Sequence, residues 1–222
     1  QFTPELAIKR NTGSNLYKAT DKFTGQLRVV KIKEKPPVPS EITISDFNHP
    51  NLLKYYERVN ARADIGSGQR EYDISVTEYL SGGAINRHYA RFQNKTFFCW
   101  AFGQLLEGLA YLHGRGFAHR DVKSTNIFLF NKGNGEIGLK LTDLDLLGKN
   151  GCKVKNFEGT PEYAAPEVFR LEPIDIRSDL WSVGCVMYEI LTRGRLPYGS
   201  RNAGLDFDEI KKSVLAGNFR RP

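Results

Sequence analysis

Apolar and polar positions alternate along much of the first third of the chain, and β-branched and aromatic residues carry the alternation. Successive side chains of a strand point to opposite faces, so such runs predict strands with one buried face. The pattern predicts strands at PELAIKR (4–10), LYKAT (16–20), LRVVKIK (27–33), LLKYYERV (52–59) and EYDISVTEYL (71–80). DKFTGQ (21–26) reads as a turn, and the polar, glycine-bearing NARADIGSGQR (60–70) as a hairpin loop. EKPPVPS (34–40) carries three prolines and can be neither helix nor inner strand. SEITISDFN (40–48) then offers a short helix with Ser40 as its N-cap.

Past EYLSGG (78–83) the period changes. NKTFFCWAFGQLLEGLAYLHGRG (94–116) spaces its apolar residues at three and four, as an amphipathic helix does. Short strands are predicted at NIFLF (126–130) and GLKLTD (138–143). SDLWSVGCVMYEILTRG (178–194) is apolar almost all round, which predicts a helix buried on most faces. The shift marks a hinge between a β-rich and a helical part.

Composition narrows the class. With 222 residues, 40% hydrophobic and 26% charged, the chain can bury a core and is that of an ordinary globular protein. No apolar run is long enough for a membrane span, and the N-terminus lacks the order of a secretory signal. Cys99, Cys152 and Cys185 are odd in number and far apart, neither a disulfide framework nor a metal-ligand spacing. A cytoplasmic or nuclear location is expected. The net charge of +7 raises nucleic-acid binding, but the basic residues are scattered and not interleaved with aromatics. A mildly basic surface that attracts acidic partners is the expectation.

The chemistry concentrates in HRDVKSTNIFL (119–129). Phosphoryl transfer needs an acceptor to orient the incoming hydroxyl, oxygen ligands for a metal, and cations on the phosphates. Asp121, Lys123 and Asn126 supply these residue types within one short loop. LTD (141–143), GTPEYAAPE (159–167) and SDLWSVG (178–184) follow in order. With these motifs the chain resembles a protein kinase catalytic domain of serine/threonine type, from Glu5 to Pro222. The resemblance implies a bilobal α+β fold: an N-lobe over about 1–77, a hinge over about 78–83 and a C-lobe over about 84–222. It implies ATP and magnesium, and a protein substrate or regulatory protein partner. Asp121 would be the catalytic base, Lys123 would touch the transferring phosphate, and Asn126 and Asp143 would hold magnesium. Lys31 would grip the nucleotide phosphates. Ile8, Leu16, Val29, Thr77 as gatekeeper, Glu78, Leu80 and Phe128 would line the adenine site. Thr160 would brace the catalytic loop, Ala165 to Glu167 would close the activation segment, and Asp179 and Trp181 would anchor the loop from below. Phe128 has a NIMA-related flavour, whereas GNFRRP (217–222) is reminiscent of tyrosine-kinase-like groups. The family's last helices, with an arginine that pairs with the position of Glu167, are expected to be missing from this chain.

Four features depart from the family's pattern. A G-x-G-x-x-G-x-V loop counted back from Leu16 falls on Lys9, Asn11 and Ser14, none of them glycine, so the loop reads equally as an ordinary hairpin. Val29 replaces a small alanine and would crowd a purine. The helix glutamate expected to fix Lys31 falls on Ser40, with Glu41 next to it, and one residue turns a helix face by about 100°. D-F-G reads D-L-D, which puts Leu144 and Asp145 beside Asp143; an aspartate resists backbone conformations that glycine permits. Two readings follow: an active serine/threonine kinase with an atypical nucleotide site, or a pseudokinase acting as a binding or scaffold module.

Between Asp143 and Glu158 there is no Ser, Thr or Tyr, so that span cannot be phosphorylated. Arg120 has no phosphate to clasp there. Either Glu158 serves as a substitute anion or a partner sets the loop.

Overall fold

The computed structural model describes residues 2–11, 14–34, 44–64, 69–133 and 135–221. The chain divides into two compact units, one of residues 1–49 with 53–80, the other of 50–52 with 81–222.

The first unit is built on a five-stranded antiparallel sheet. Its strands are β1 (Phe2–Asn11), β2 (Ser14–Asp21), β3 (Leu27–Glu34), β4 (Tyr55–Asp64) and β5 (Gln69–Glu78), in the order β1-β2-β3-β5-β4. The β2–β3 turn is held by Asp21, whose carboxylate accepts the backbone N–H of Phe23 at 3.0 Å. Those hydrogen bonds lower the Asp21 carboxyl below the usual carboxylate range.

Three expectations change here. The polar run at 60–70 is mostly strand, since β4 continues to Asp64 and its register with β5 closes at Asp64–Gln69. Arg62 of this run lies opposite Glu71 and bonds it at 2.7 Å, as Arg58 just before the run bonds Asp73 at 2.8 Å. The run LLKYYERV enters its strand only at Tyr55, while Leu52 makes a single bridge to Leu141 in the second unit. Of the predicted helix at 40–48, Ile44–Asp46 forms one 3-10 turn; Ser40 and Glu41 lie outside the described residues.

The second unit is mainly helical. Helix α1 (Lys95–His113) starts at Asn94, whose side chain accepts the Phe97 N–H at 3.0 Å. Its buried positions, Ala101, Phe102, Leu105, Leu109 and Leu112, form one stripe that packs against β8. β6 (Phe117–Ala118) pairs with β9 (Gly148–Lys149), and β7 (Ile127–Asn131) with β8 (Ile137–Leu141). Helices α2 (Pro166–Phe169), α3 (Arg177–Leu191) and α4 (Phe207–Leu215) follow. Phe169, Ile210 and Val214 form a cluster with Phe157, Trp181 and Tyr198 packed on it. Asp206 and Glu209 close a reciprocal capping box at the start of α4. α3 buries Val183, Cys185, Val186 and Ile190, as its composition predicts. The result is an α+β protein with a β-rich first part and a helical second. Among the described residues, no helix is long and apolar enough to cross a membrane.

Candidate active site

The loop after β6 is shaped by α3. Asp179, 1% exposed in the first turn of α3, accepts the backbone N–H groups of His119 at 2.8 Å and Arg120 at 2.9 Å. His113 Nε2, at the end of α1, lies 2.7 Å from the same carboxylate. One buried carboxylate therefore satisfies two backbone donors that no strand or helix can, and holds Arg120 at φ 70. Such left-handed conformations persist only where the surroundings over-determine them. Trp181, two residues on, stacks instead on Tyr198.

Asp121 follows, 9% exposed, with three donors on its carboxylate. Thr160 donates to Oδ1 at 2.6 Å, Lys123 to Oδ2 at 2.7 Å and Asn126 Nδ2 to Oδ2 at 3.0 Å. An ionised carboxylate offers about four acceptor sites, so one, on Oδ1, is left for an incoming hydroxyl. Lys123 also donates to Thr160 Oγ1 at 2.8 Å, which leaves one of its three protons for another anion. The backbone N–H of Asp121 donates to His119 Nδ1 at 3.2 Å. His119 Nε2 then carries the proton and donates to the Thr142 carbonyl at 3.0 Å, which fixes the neutral tautomer.

The β7–β8 hairpin brings Asn126 and Asp143 together. Ile127 pairs with Leu141, so Asn126 and Thr142 sit at the same end, and the Asn126 carbonyl accepts both the N–H and the hydroxyl of Thr142, at 2.8 and 3.0 Å. Asp143 comes next, at φ 63 and ψ 63. Because the Asn126 amide nitrogen is bonded to Asp121, its oxygen is the group left for a cation. An amide oxygen and a carboxylate are hard donors that fit magnesium, which keeps several waters and needs few protein ligands. Among the described residues, no group of three or more His, Cys, Asp or Glu forms a metal cage.

Asp145 does not carry the strain expected of it. The left-handed residue of this stretch is Asp143, whereas Asp145 lies in the 3-10 turn Leu144–Leu146. Leu144 is fully buried and takes the packing position. Glu167 does not lack a partner, since Ser178 Oγ donates to it at 2.6 Å.

The remaining predicted residues lie in the first unit, apart from Phe128. Leu16 is opposite Lys31, and Val29 is opposite Thr77. Residues opposite one another, or two apart on one strand, share a face, so Leu16, Val29, Lys31 and Thr77 line one side of the sheet. Ile8 falls at the register shift between Ala7 and Lys9. Thr77 is buried, the Glu78 N–H donates to the Lys54 carbonyl at 3.1 Å, and Leu80 is buried just past the strand. Lys9 lies opposite Leu16 and Asn11 opposite Ser14, so β1 and β2 pair up to their connection. Phe128, on β7 of the second unit, lies opposite Lys140 and bridges Ala84.

One network escaped sequence reasoning. Glu189, 5% exposed within α3, accepts hydroxyls from Ser124 at 2.8 Å, Tyr163 at 2.8 Å and Tyr89 at 3.1 Å. It ties the loop of Asp121 to the Pro161–Tyr163 turn. A glutamate set among the apolar residues of VMYEIL (186–191) was the signal.

Similarity to known proteins in sequence points to one family. The family model "Protein kinase domain" matches residues 11–218. The serine/threonine-protein kinase Nek5 of Mus musculus is 32% identical over 209 residues, covering 88% of this chain and 31% of its own length. Death-associated protein kinase 2 of Mus musculus is 32% identical over 78% of this chain and 49% of its own length. Calcium-dependent protein kinase 5 of Plasmodium falciparum is 32% identical over 96% of this chain and 37% of its own length. The chain thus spans less than half of the length of each of these relatives. With the loop of Asp121 built as described and the match running over nearly every residue, the chain belongs to the protein kinase domain family.

Proposed function

We propose that the chain is the catalytic part of a serine/threonine protein kinase that transfers the γ-phosphate of ATP to protein hydroxyls. The observation that carries this reading is the Asp121 carboxylate, fixed by Thr160, Lys123 and Asn126 with one acceptor site left over. Asp121 takes the hydroxyl proton as that oxygen bonds to the γ-phosphorus and the bond to ADP breaks. The free proton of Lys123 serves the transferring phosphate. Asn126 and Asp143 would hold magnesium, which neutralises phosphate charge when bound. On the sheet face of the first unit, Lys31 meets phosphate oxygens, and Leu16, Val29 and Thr77 meet the nucleoside, with Glu78 and Leu80 offering backbone groups. The three cysteines are free, which supports a reducing compartment, the cytoplasm or nucleus.

A second reading, a pseudokinase that binds partners and holds nucleotide weakly, is favoured by Lys9, Asn11 and Ser14 at the three glycine positions of the phosphate loop and by Val29. Thermal unfolding with ATP, with and without magnesium, separates the two, because an occupied site raises stability by mass action. The kinase reading expects a magnesium-dependent rise and phosphate transfer to a generic protein substrate that Asp121→Asn abolishes. No rise at millimolar ATP and no transfer leave the pseudokinase.

A further inference from the structure

The segment between Asp143 and Thr160 carries three lysines, Lys149, Lys153 and Lys155, all exposed. Among the described residues, none of the three meets a carboxylate. The acids nearby are engaged elsewhere. Glu158 Oε2 lies 2.8 Å from Arg120 Nη2. In the cleft beside Asn150 and Gly151, Asp175 accepts Arg177 Nε at 2.9 Å, Glu167 accepts Ser178 Oγ at 2.6 Å, and Glu172 lies 3.6 Å from Arg170. The backbone that carries the lysines is fixed. Lys149 pairs with Phe117 in the β6–β9 ladder. The Asn150 N–H donates to the Gly116 carbonyl at 2.8 Å, the Gly151 N–H to the Ile174 carbonyl at 2.7 Å, and the Ile174 N–H to the Cys152 carbonyl at 2.9 Å. At the two ends, a Cβ on Gly148 would lie 2.8 Å from Arg120 Cδ, and one on Gly159 would lie 2.7 Å from the Arg120 carbonyl oxygen. Val154 and Asn156 line one cavity together with Asp121 and Thr160. Lys153 and Lys155, their neighbours in the chain, therefore stand exposed at the edge of the approach to Asp121.

We propose that Lys153 and Lys155 select protein substrates that carry anionic side chains close to the hydroxyl to be phosphorylated. The proposal rests on the kinase reading above and names its substrate class. Unpaired cations on a fixed backbone cost little ordering when an anion meets them. They favour a complementary sequence, speed its encounter and repel a basic one. Lys149 and the net charge of +7 add to the same field. An extended peptide advances about 3.3 Å per residue, so anions two to four residues from the hydroxyl lie about 7–13 Å from it. The carboxylate of Asp or Glu and the phosphate of phosphoserine share this chemistry. Between Lys149 and Lys155 there is no aromatic residue on which a base could stack, so a nucleic acid fits the surface less well than an anionic peptide.

The test uses the whole chain and serine peptides that differ only at the residues two to four places from the serine: aspartate, phosphoserine or glutamine. It compares the wild type with the double variant Lys153→Gln, Lys155→Gln. It measures kcat and KM at low and at physiological salt, and binding of the labelled peptides without nucleotide. In the wild type, kcat/KM is expected to be about three- to tenfold higher for the aspartate peptide than for the glutamine peptide at low salt, with a smaller gap at higher salt. The difference falls in KM, as for an interaction made equally in the ground and transition states. The double variant loses it, while its kcat/KM for the glutamine peptide and its KM for ATP stay at wild-type values. A phosphoserine peptide preferred over the aspartate one assigns the anion to a prior phosphorylation, and the reverse assigns it to acidic sequence; both uphold the selection. Equal kcat/KM for the aspartate, phosphoserine and glutamine peptides in the wild type overturns the proposal, as does a preference retained in the double variant. If the wild type transfers phosphate to none of them, the kinase reading falls and binding alone decides. Tighter binding of the anionic peptides that the double variant loses supports the anion site, and equal binding overturns it.

Discussion

Asp143 and Asp145 divide the work of a stretch in which the family's pattern has one acid and one glycine. Asp143 takes the left-handed backbone, which Asp and Asn tolerate better than other side-chain-bearing residues. Asp145 sits in a right-handed turn, where glycine has no advantage. Replacing Asp145 by Gly should therefore not relieve strain. It should lower stability by about 0.5–1 kcal/mol, through the larger entropy of the unfolded chain. Chemical denaturation measures this, and a gain in stability would contradict the right-handed turn. The same variant tests whether the second carboxylate alters nucleotide binding, since the charge leaves with the side chain.

At the level of elements, α3 is the organiser. Its first turn supplies Asp179 to the loop of Asp121, and its fourth supplies Glu189 to three hydroxyls. The Glu189 network has a readable pH signature. Burial first, then the nearby Glu189 charge, pushes the Tyr89 hydroxyl from 10.0 up to about 12. The same causes in the same order push the Cys185 thiol from 9.0 up to about 12. Tyr163 is raised further in the same direction, by burial and then Glu189. For each group the folded state holds its proton to higher pH than the unfolded state does. Folding then binds more protons, and stability falls with rising pH. The stabilisation is complete below about pH 9 and is lost toward pH 12. Urea midpoints measured across this window should drop steeply in the wild type and less steeply in Cys185→Ala. A flat profile would mean that these groups are not buried beside Glu189.

At the scale of the whole molecule, the three cysteines report on global opening. Cys99 and Cys152 are exposed and Cys185 is buried in α3. In native conditions a thiol reagent should label two sites quickly. The third should react only at the rate of unfolding. Rapid labelling of all three would show that α3 opens locally. The net charge of +7 is a property of the surface and carries no information about the fold.

The alternation of the first third, the amphipathic spacing at 94–116 and the motif order from His119 to Gly184 were enough to read the α+β class, the family and the loop that holds Asp121. These are local signals: period reports which face is buried, and motif spacing reports which groups a short loop can gather. Where the polar run at 60–70 belonged was not legible, because Arg62 is matched to Glu71 across the strand pair and only pairing reveals that partner. Glu189 was not legible for the same reason, since its three hydroxyls come from segments far apart in the chain. The backbone at Asp143 and Asp145 was misjudged from residue type alone; the turn Leu144–Leu146 shifts the strained position by two residues. Glu158 stood in the sequence as one of two ways to set the loop. Its 2.8 Å approach to Arg120 depends on Asp179, Gly148 and Gly159 holding that arginine in place, and such packing exists only once distant segments have met.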